Sequence, residues 1–190
     1  MKSIAVYCGA SNGAKPIYAD AARQLARALV DHNIALVYGG GKVGLMGVIA
    51  DEVLRLGGEA TGVIPRALVE REVGHAGLTR LFVVKDMHER KAMMADLSGG
   101  FIAMPGGFGT LEELFEMVTW AQLGIHAKPI GLLNVNGYWD KLAAFVEHMV
   151  EQGFVRPAYA ALLVRDADPE ALVRTLRAGE GRVATSRWDK

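Results

Sequence analysis

The sequence predicts a doubly wound α/β fold, a mostly parallel sheet with helices on both faces, in a single domain over residues 1–178 ahead of a polar tail at 179–190. Three observations carry that prediction. Apolar runs of strand length alternate with stretches of helical period along the chain. Most of the strand runs are apolar throughout rather than on alternate residues, as in a sheet covered on both faces. No linker, repeat or shift in composition marks off a second domain. The chain has 190 residues, 51% of them apolar, enough for one sizeable core.

Taken in order, residues 4–8 form the first strand, too short an apolar run for a signal peptide. Pro16 suits a first helical position, and 17–31 is amphipathic with Ala22, Leu25 and Leu29 on one side. The second strand, 34–38, runs into the Gly-rich turn Gly39-Gly40-Gly41-Lys42-Val43-Gly44. A helix continues to about 56 and stops at Gly57-Gly58, a C-cap signal. The third strand, 60–64, ends at Pro65. Residues 66–79 have the weakest period and read as a short helix and a loop, with His75 between glycines. Strand 81–84, helix 87–97 and strand 101–104 follow, then a second Gly-rich turn and a helix from 110 to about 123. Strand 130–135, helix 138–152, strand 162–165 and helix 169–176 complete the alternation, and the tail from 179 is expected to fray. Right-handed crossovers wind such a chain into a Rossmann-like sheet, whose ligand lies at the carboxyl ends of the strands where their order reverses.

Charge and composition remove several classes of partner. Twenty-one basic residues balance 21 acidic ones, so a nucleic-acid footprint is not expected. No stretch has the roughly 18 uninterrupted apolar residues of a membrane span. Cys8 is the only cysteine, which excludes an internal disulfide and a cysteine-built metal cluster and fits a reducing cytoplasm. The five histidines show no HExxH-like spacing, so no metal is expected, nor any other cofactor.

Two strand-to-helix turns are rich in glycine. Gly39-x-Gly41-x-x-Gly44 matches the dinucleotide fingerprint in spacing, but the next strand ends Val63-Ile64-Pro65 without the acidic residue that takes a ribose hydroxyl. Glu59 stands at that strand's start, the wrong end of the sheet. GxxxxGK[ST] is absent, which argues against a P-loop nucleoside triphosphatase. The plain alternative is that these glycines only make a tight turn. The second turn, Pro105-Gly106-Gly107-Phe108-Gly109-Thr110, carries the stronger signal. A Gly-rich turn opening a helix points backbone N–H groups at an anion, and the helix dipole adds positive potential there. Two such turns facing one crevice suit a single monophosphate.

Two charged residues need an explanation. Arg90 falls on a largely apolar helical stripe with Met87, Met94 and Leu97, while Lys91 falls on the next stripe with His88, Ala95 and Ser98. An arginine on an apolar stripe either finds a partner or snorkels its head to water. Glu113 fits a capping box with Thr110, and Glu112 would complement the helix dipole. Against those structural roles stands placement: both helices start at strand ends on one rim, where Arg90 and Glu113 can meet over one ligand.

Pro-Gly-Gly-x-Gly-Thr-x-x-Glu at 105–113, together with Met-x-x-Arg-Lys at 87–91, resembles the signature pair of the Lonely Guy family of cytokinin riboside 5′-monophosphate phosphoribohydrolases. Gly-Gly-Gly-x-x-Gly-Leu-Met-Gly at 39–47 and Tyr-Cys-Gly-Ala-Ser at 7–11 are similar to the family too, and the likeness spans residues 1–165. Members often carry Ser-Ser where this chain has Ala10-Ser11, which touches one contact and not the reaction. The resemblance implies hydrolysis of the N-glycosidic bond of a purine-type nucleoside 5′-monophosphate, a cytokinin nucleotide, AMP or both, to free base and ribose 5-phosphate. It implies that Arg90 and Glu113 are the catalytic pair and that the protein is a homodimer. Substrate and phosphate binding fall on Gly40, Gly41, Met87, Lys91, Gly106, Gly107, Gly109 and Thr110. The label "lysine decarboxylase" often given to the family finds no support, since no lysine stands in a recognisable pyridoxal-phosphate setting. A nucleotide-binding or carrier module without chemistry would use the same glycines, but would not need the Arg90–Glu113 pair.

Overall fold

The computed structural model describes residues 1–69 and 74–179, so residues 70–73 of the aperiodic segment and the tail from 180 lie outside the described residues. The strands are β1 (Ser3–Tyr7), β2 (Ala35–Tyr38), β3 (Ala60–Pro65), β4 (Arg80–Val84), β5 (Phe101–Ala103), β6 (Ile130–Leu133) and β7 (Leu163–Asp166). The helices are α1 (Ile17–Asp31), α2 (Gly44–Arg55), α3 (Met87–Asp96), α4 (Phe108–Gln122), α5 (Asp140–Glu151), α6 (Pro157–Ala160) and α7 (Pro169–Ala178). Short 3₁₀ turns occupy Arg66–Leu68 and Val135–Gly137.

The strands form one sheet in the order β4-β3-β2-β1-β5-β6-β7, parallel at every pairing. The chain builds outward from β1 to one edge, returns to lay β5 on β1's other side, and builds outward again. Strand order therefore reverses between β1 and β5, where Ala5 pairs Phe101 and Tyr7 pairs Ala103. Loops leaving two adjacent strands in opposite directions open a crevice at their carboxyl ends.

Because the strands are apolar on both faces, each face buries its own layer. Ile4, Val6, Leu36 and Ile102 pack with Leu25 and Leu29 of α1, Ile49 and Val53 of α2, and Leu172 and Leu176 of α7. Ala5, Tyr7, Val63 and Phe101 pack with Met94 of α3 and Leu114 and Met117 of α4. Each fully buried Leu, Ile, Val or Met contributes about 1.5–3 kcal/mol.

Several boundaries differ from the sequence expectation. Helix α4 begins at Phe108, two residues before the expected start, with extended Gly107 as its N-cap (φ −93°, ψ −152°). A first turn reading Phe-Gly-Thr carries no propensity signal, so only tertiary packing reveals that start. β6 stops at Leu133 and α5 starts at Asp140, because Asn136 and Gly137 turn the chain through positive φ (52° and 67°). The four-residue α6 has no counterpart in the sequence expectation. In the aperiodic segment, Arg66–Leu68 supplies the short helix. His75 then ties back to the first Gly-rich turn: its N–H donates to the Gly40 carbonyl at 3.0 Å, and Gly41 bridges Gly74. The His75 ring accepts from Gly77 N–H at Nδ1 (3.1 Å) and reaches Asp51 of α2 through Nε2 (2.9 Å).

Candidate active site

Arg90 is placed by a well-capped helix. Asp86 caps α3 by accepting from Glu89 N–H at 3.0 Å, and Glu89 reaches back to accept from Lys85 N–H at 2.7 Å. The hydrogen bond from Glu89 N–H also holds the Asp86 carboxyl below its ordinary range. With the helix start fixed, Arg90 and Lys91 sit on its second turn and both are buried, each 5% exposed. The Arg90 guanidinium lies over Gly39 at the end of β2, where a Cβ would meet Nη2 at 1.9 Å. Its Nη1 touches Met87 Sδ at 3.7 Å, and its Nη2 stands 3.8 Å from Glu113 Oε1. Arg90 Nε has no hydrogen-bond partner among the described residues. The snorkelling alternative is thus set aside: the head is buried and faces a carboxylate.

Glu113 is no capping residue. Gly107 is the N-cap of α4, so Thr110 is already inside the helix and Glu113 lies a turn too far along to reach back. Its side chain turns instead toward the sheet, 8% exposed, beneath the β1 end. Glu112 does more than complement the dipole. Lys91 Nζ hydrogen-bonds Glu112 Oε1 and stands 3.2 Å from Glu116 Oε2, which ties α3 to α4. Burial pulls Lys91 down, but the hydrogen bonds it donates to Glu112 and Glu116 outweigh it and hold the ammonium above the ordinary lysine range. Lys91, expected among the substrate-binding residues, therefore stands between two carboxylates; charged in this way, it does not suit a Schiff base.

The two Gly-rich turns differ in exposure. Gly39, Gly40 and Gly41 are buried, and Gly40 has φ +77° with Ile64 and Leu81 against it. Gly106 has no room for a Cβ, which would meet Thr110 Oγ1 at 2.1 Å, and Thr110 is itself buried. Gly107 and Gly109 are exposed, and a Cβ on either would meet nothing within 4 Å. Neither has positive φ. Neither packing nor backbone conformation asks for glycine at these two positions, which leave the helix N-terminus bare for an approaching group.

Between the loop after β1 and the second turn, the switch point holds a cleft of about 450 Å³, lined by Gly9, Ala10, Ser11, Tyr18, Leu45, Pro105, Gly106, Gly107 and Tyr138 among others; Arg90, Glu113 and the first Gly-rich turn do not line it. Gly9 N–H donates to Pro105 O at 3.1 Å across its floor, locking the β1 and β5 loops together. Tyr7, at the end of β1, stacks on Phe101, and its hydroxyl has no hydrogen-bond partner among the described residues. Burial, then Glu113 and Glu116, push its phenol well above the usual range. Burial, with Glu113 adding to it, likewise pushes the Cys8 thiol up, so Cys8 is a neutral thiol and unsuited to act as a nucleophile. Sequence reasoning gives Tyr138 no part in the site, since it reads as an ordinary aromatic at a helix start. Among the described residues no group of three or more His, Cys, Asp or Glu is placed to hold a metal ion, and no helix is long and apolar enough to cross a membrane.

A family model described as possible lysine decarboxylase matches residues 46–176. The cytokinin riboside 5′-monophosphate phosphoribohydrolase LOG5 of Arabidopsis thaliana is 46% identical over 99% of this chain and 84% of its own. LOG7 of the same plant, which carries the same activity in its name, is 50% identical over 92% of this chain and 81% of its own. Among solved structures, the Moco carrier protein from Chlamydomonas reinhardtii superposes with a TM-score of 0.70 over 93% of this chain and 97% of that one. At 21% identity that likeness is one of fold alone.

Proposed function

The chain belongs to the Lonely Guy family of cytokinin riboside 5′-monophosphate phosphoribohydrolases, and from that premise we propose that it hydrolyses the N-glycosidic bond of a purine-type nucleoside 5′-monophosphate. The products are the free base and ribose 5-phosphate. The observation that carries the assignment to particular residues is the buried Arg90–Glu113 pair, 3.8 Å apart, beside a helix N-terminus whose exposed glycines have no packing reason to be glycine. A buried ion pair is weak evidence for stability, because desolvation offsets its attraction. At a strand-end crevice it is better explained by chemistry.

The 5′-phosphate sits at the start of α4, against the N–H groups of Gly107 and Gly109 and the positive end of the helix, with Thr110 behind them. Anchored there, the ribose lies over Glu113. Cleavage builds positive charge on the sugar as the C1′–N bond breaks and its electron pair leaves with the base. The Glu113 carboxylate faces that charge and accepts the proton of the water whose oxygen adds to C1′. The base takes up a proton as it departs. General-base help of this kind is worth about 10²–10⁴-fold. Arg90 contacts the ribose or base side and orients the carboxylate. Gly40, Gly41, Met87 and Lys91 support the site from the second tier of loops and helix starts.

We further propose that the enzyme works in the cytoplasm as a homodimer. Met87, Leu97 and Phe108 expose 38%, 38% and 92% of their surface on or beside the helices that carry the catalytic pair, and a second copy would cover them. Sedimentation of the purified protein checks this. The reaction is tested by incubating the protein with AMP and with isopentenyladenosine monophosphate and measuring free base. Release from either is expected; a folded protein that releases base from neither removes the enzymatic reading.

A further inference from the structure

The turn between β6 and α5 belongs to neither Gly-rich loop, yet it is built to deliver one side chain to the second of them. Asn134 Oδ1 accepts from Trp139 N–H at 2.8 Å, and Asn134 Nδ2 donates to Asp140 Oδ1 at 2.8 Å. Between these braces Asn136 and Gly137 take positive φ, and a left-handed asparagine costs conformational energy that the surroundings must offset. The turn ends at Tyr138. Its ring packs edge-on against Trp139 (4.8 Å between centroids, 87°) and Tyr18 (6.0 Å, 80°), and its hydroxyl donates to the Gly106 carbonyl at 2.6 Å.

That hydrogen bond reaches the peptide that matters. In a trans peptide the C=O of one residue and the N–H of the next point in opposite directions across one plane. Fixing the Gly106 oxygen therefore fixes the direction of the Gly107 N–H, a donor that has no place in the α4 hydrogen-bond ladder because Gly107 is the N-cap. Gly106 packs against Thr110, but neither Gly106 nor Gly107 has a side chain of its own to fix the plane of the peptide between them. The preceding peptide is held separately, by Gly9 N–H on the Pro105 carbonyl at 3.1 Å. The Gly106–Gly107 segment is thus gripped from two other strand ends.

We propose that Tyr138 is a positioning residue for the phosphate clamp: its hydroxyl, by holding the Gly106 carbonyl, aims the Gly107 N–H at the 5′-phosphate. The inference rests on the reading that residues 107–110 receive that phosphate. It brings β6 into the site, so loops from β1, β5 and β6 together set the clamp.

Tyr138→Phe tests it, since the ring and its packing stay and one hydroxyl goes. One hydrogen bond's worth of preorganisation corresponds to about a three- to tenfold change. The KM for AMP and the inhibition constant of ribose 5-phosphate should rise together by that factor, with kcat within about twofold of the parent. Inhibition by adenosine, which has no phosphate, should not move, and the melting temperature should fall by no more than the few degrees one hydrogen bond is worth. Unchanged constants overturn the proposal, and so does an equal loss for adenosine, which would mean a merely loosened cleft. If the parent protein hydrolyses no nucleotide, the enzymatic reading fails by itself. Calorimetric binding of ribose 5-phosphate then reads the same comparison: weaker binding by the variant sustains the clamp, and equal binding or none by the parent overturns it.

Discussion

The two Gly-rich turns look alike in the sequence and behave differently in the fold. The first is interior: Gly39 makes room for the Arg90 guanidinium, Gly40 takes positive φ against β3, and its carbonyl is occupied by His75 N–H. Gly44, with φ +57°, lets the chain pass within 2.3 Å (from its hypothetical Cβ) of the Ala10 backbone. The second turn starts in the same way, with Gly106 packed against Thr110, and then departs from it at Gly107 and Gly109, which face open space. A glycine that packing requires supports a site; a glycine that packing does not require leaves space for a ligand. Gly-x-Gly spacing cannot tell these apart, because both jobs ask for the same missing Cβ.

Gly39→Ala is the strongest way to break this contrast. The new Cβ meets Arg90 Nη2 at 1.9 Å and Met46 Sδ at 3.1 Å, both on side chains, so the guanidinium and the thioether give way and the backbone need not. We expect kcat to fall at least about 10²-fold, the loss typical of removing one preorganised electrostatic group. A variant of normal activity would dissociate the first turn from the chemistry. Gly109→Ala sharpens the contrast from the other side. The added methyl fills open space on a helix, so stability should rise by up to about 0.5–1 kcal/mol. On the proposed function the same methyl would stand where the phosphate approaches, so the KM for nucleotide should rise about tenfold while kcat holds, the scale of one well-made hydrogen bond. Thermal melts and steady-state kinetics on one preparation read both effects.

The smallest expected effect concerns the tie between the helices that carry the pair. Lys91 is held above its ordinary pKa of 10.5, with Glu112 and Glu116 prevailing over burial. A raised cationic pKa contributes stability that is fully present below the unfolded value and is lost as pH rises through the folded one. The melting temperature should therefore fall by a few degrees as pH is raised past about 10.5, and Lys91→Met should flatten that part of the curve. Equal alkaline slopes in the two proteins would assign the loss elsewhere.

The alternation of apolar runs with helical periods makes the sheet legible, down to the strand ends that carry both Gly-rich turns, because burial on both faces leaves its mark on nearly every residue of β1, β2, β3, β5 and β6. The Arg90–Glu113 meeting is legible for the same reason: Met87 and Phe101 mark where α3 and β5 begin, and the topology does the rest. Three features escape. The start of α4 at Phe108 depends on an extended Gly107 held by its neighbours, so Thr110 and Glu113 imitate a capping box they do not form. Helical spacing places Lys91 one stripe from Arg90 on α3, but its two carboxylates come from α4, and no local pattern reports a pairing 21 residues away. Tyr138 acts through a carbonyl 32 residues back, and a backbone oxygen has no signature in sequence.

On the proposed function the work is divided between the two turns and the pair behind them: the second turn would bind the nucleotide, and the carboxylate beneath it would perform the chemistry. Glu113→Gln tests that division most directly, because the side chain keeps its shape and loses its charge. With AMP and isopentenyladenosine monophosphate, binding by calorimetry should stay within a few-fold of the parent protein, and the single-turnover rate of base release should drop by about 10²–10⁴-fold. Base release at the parental rate from the Glu113→Gln variant would contradict this division and return Glu113 to a structural role on α4.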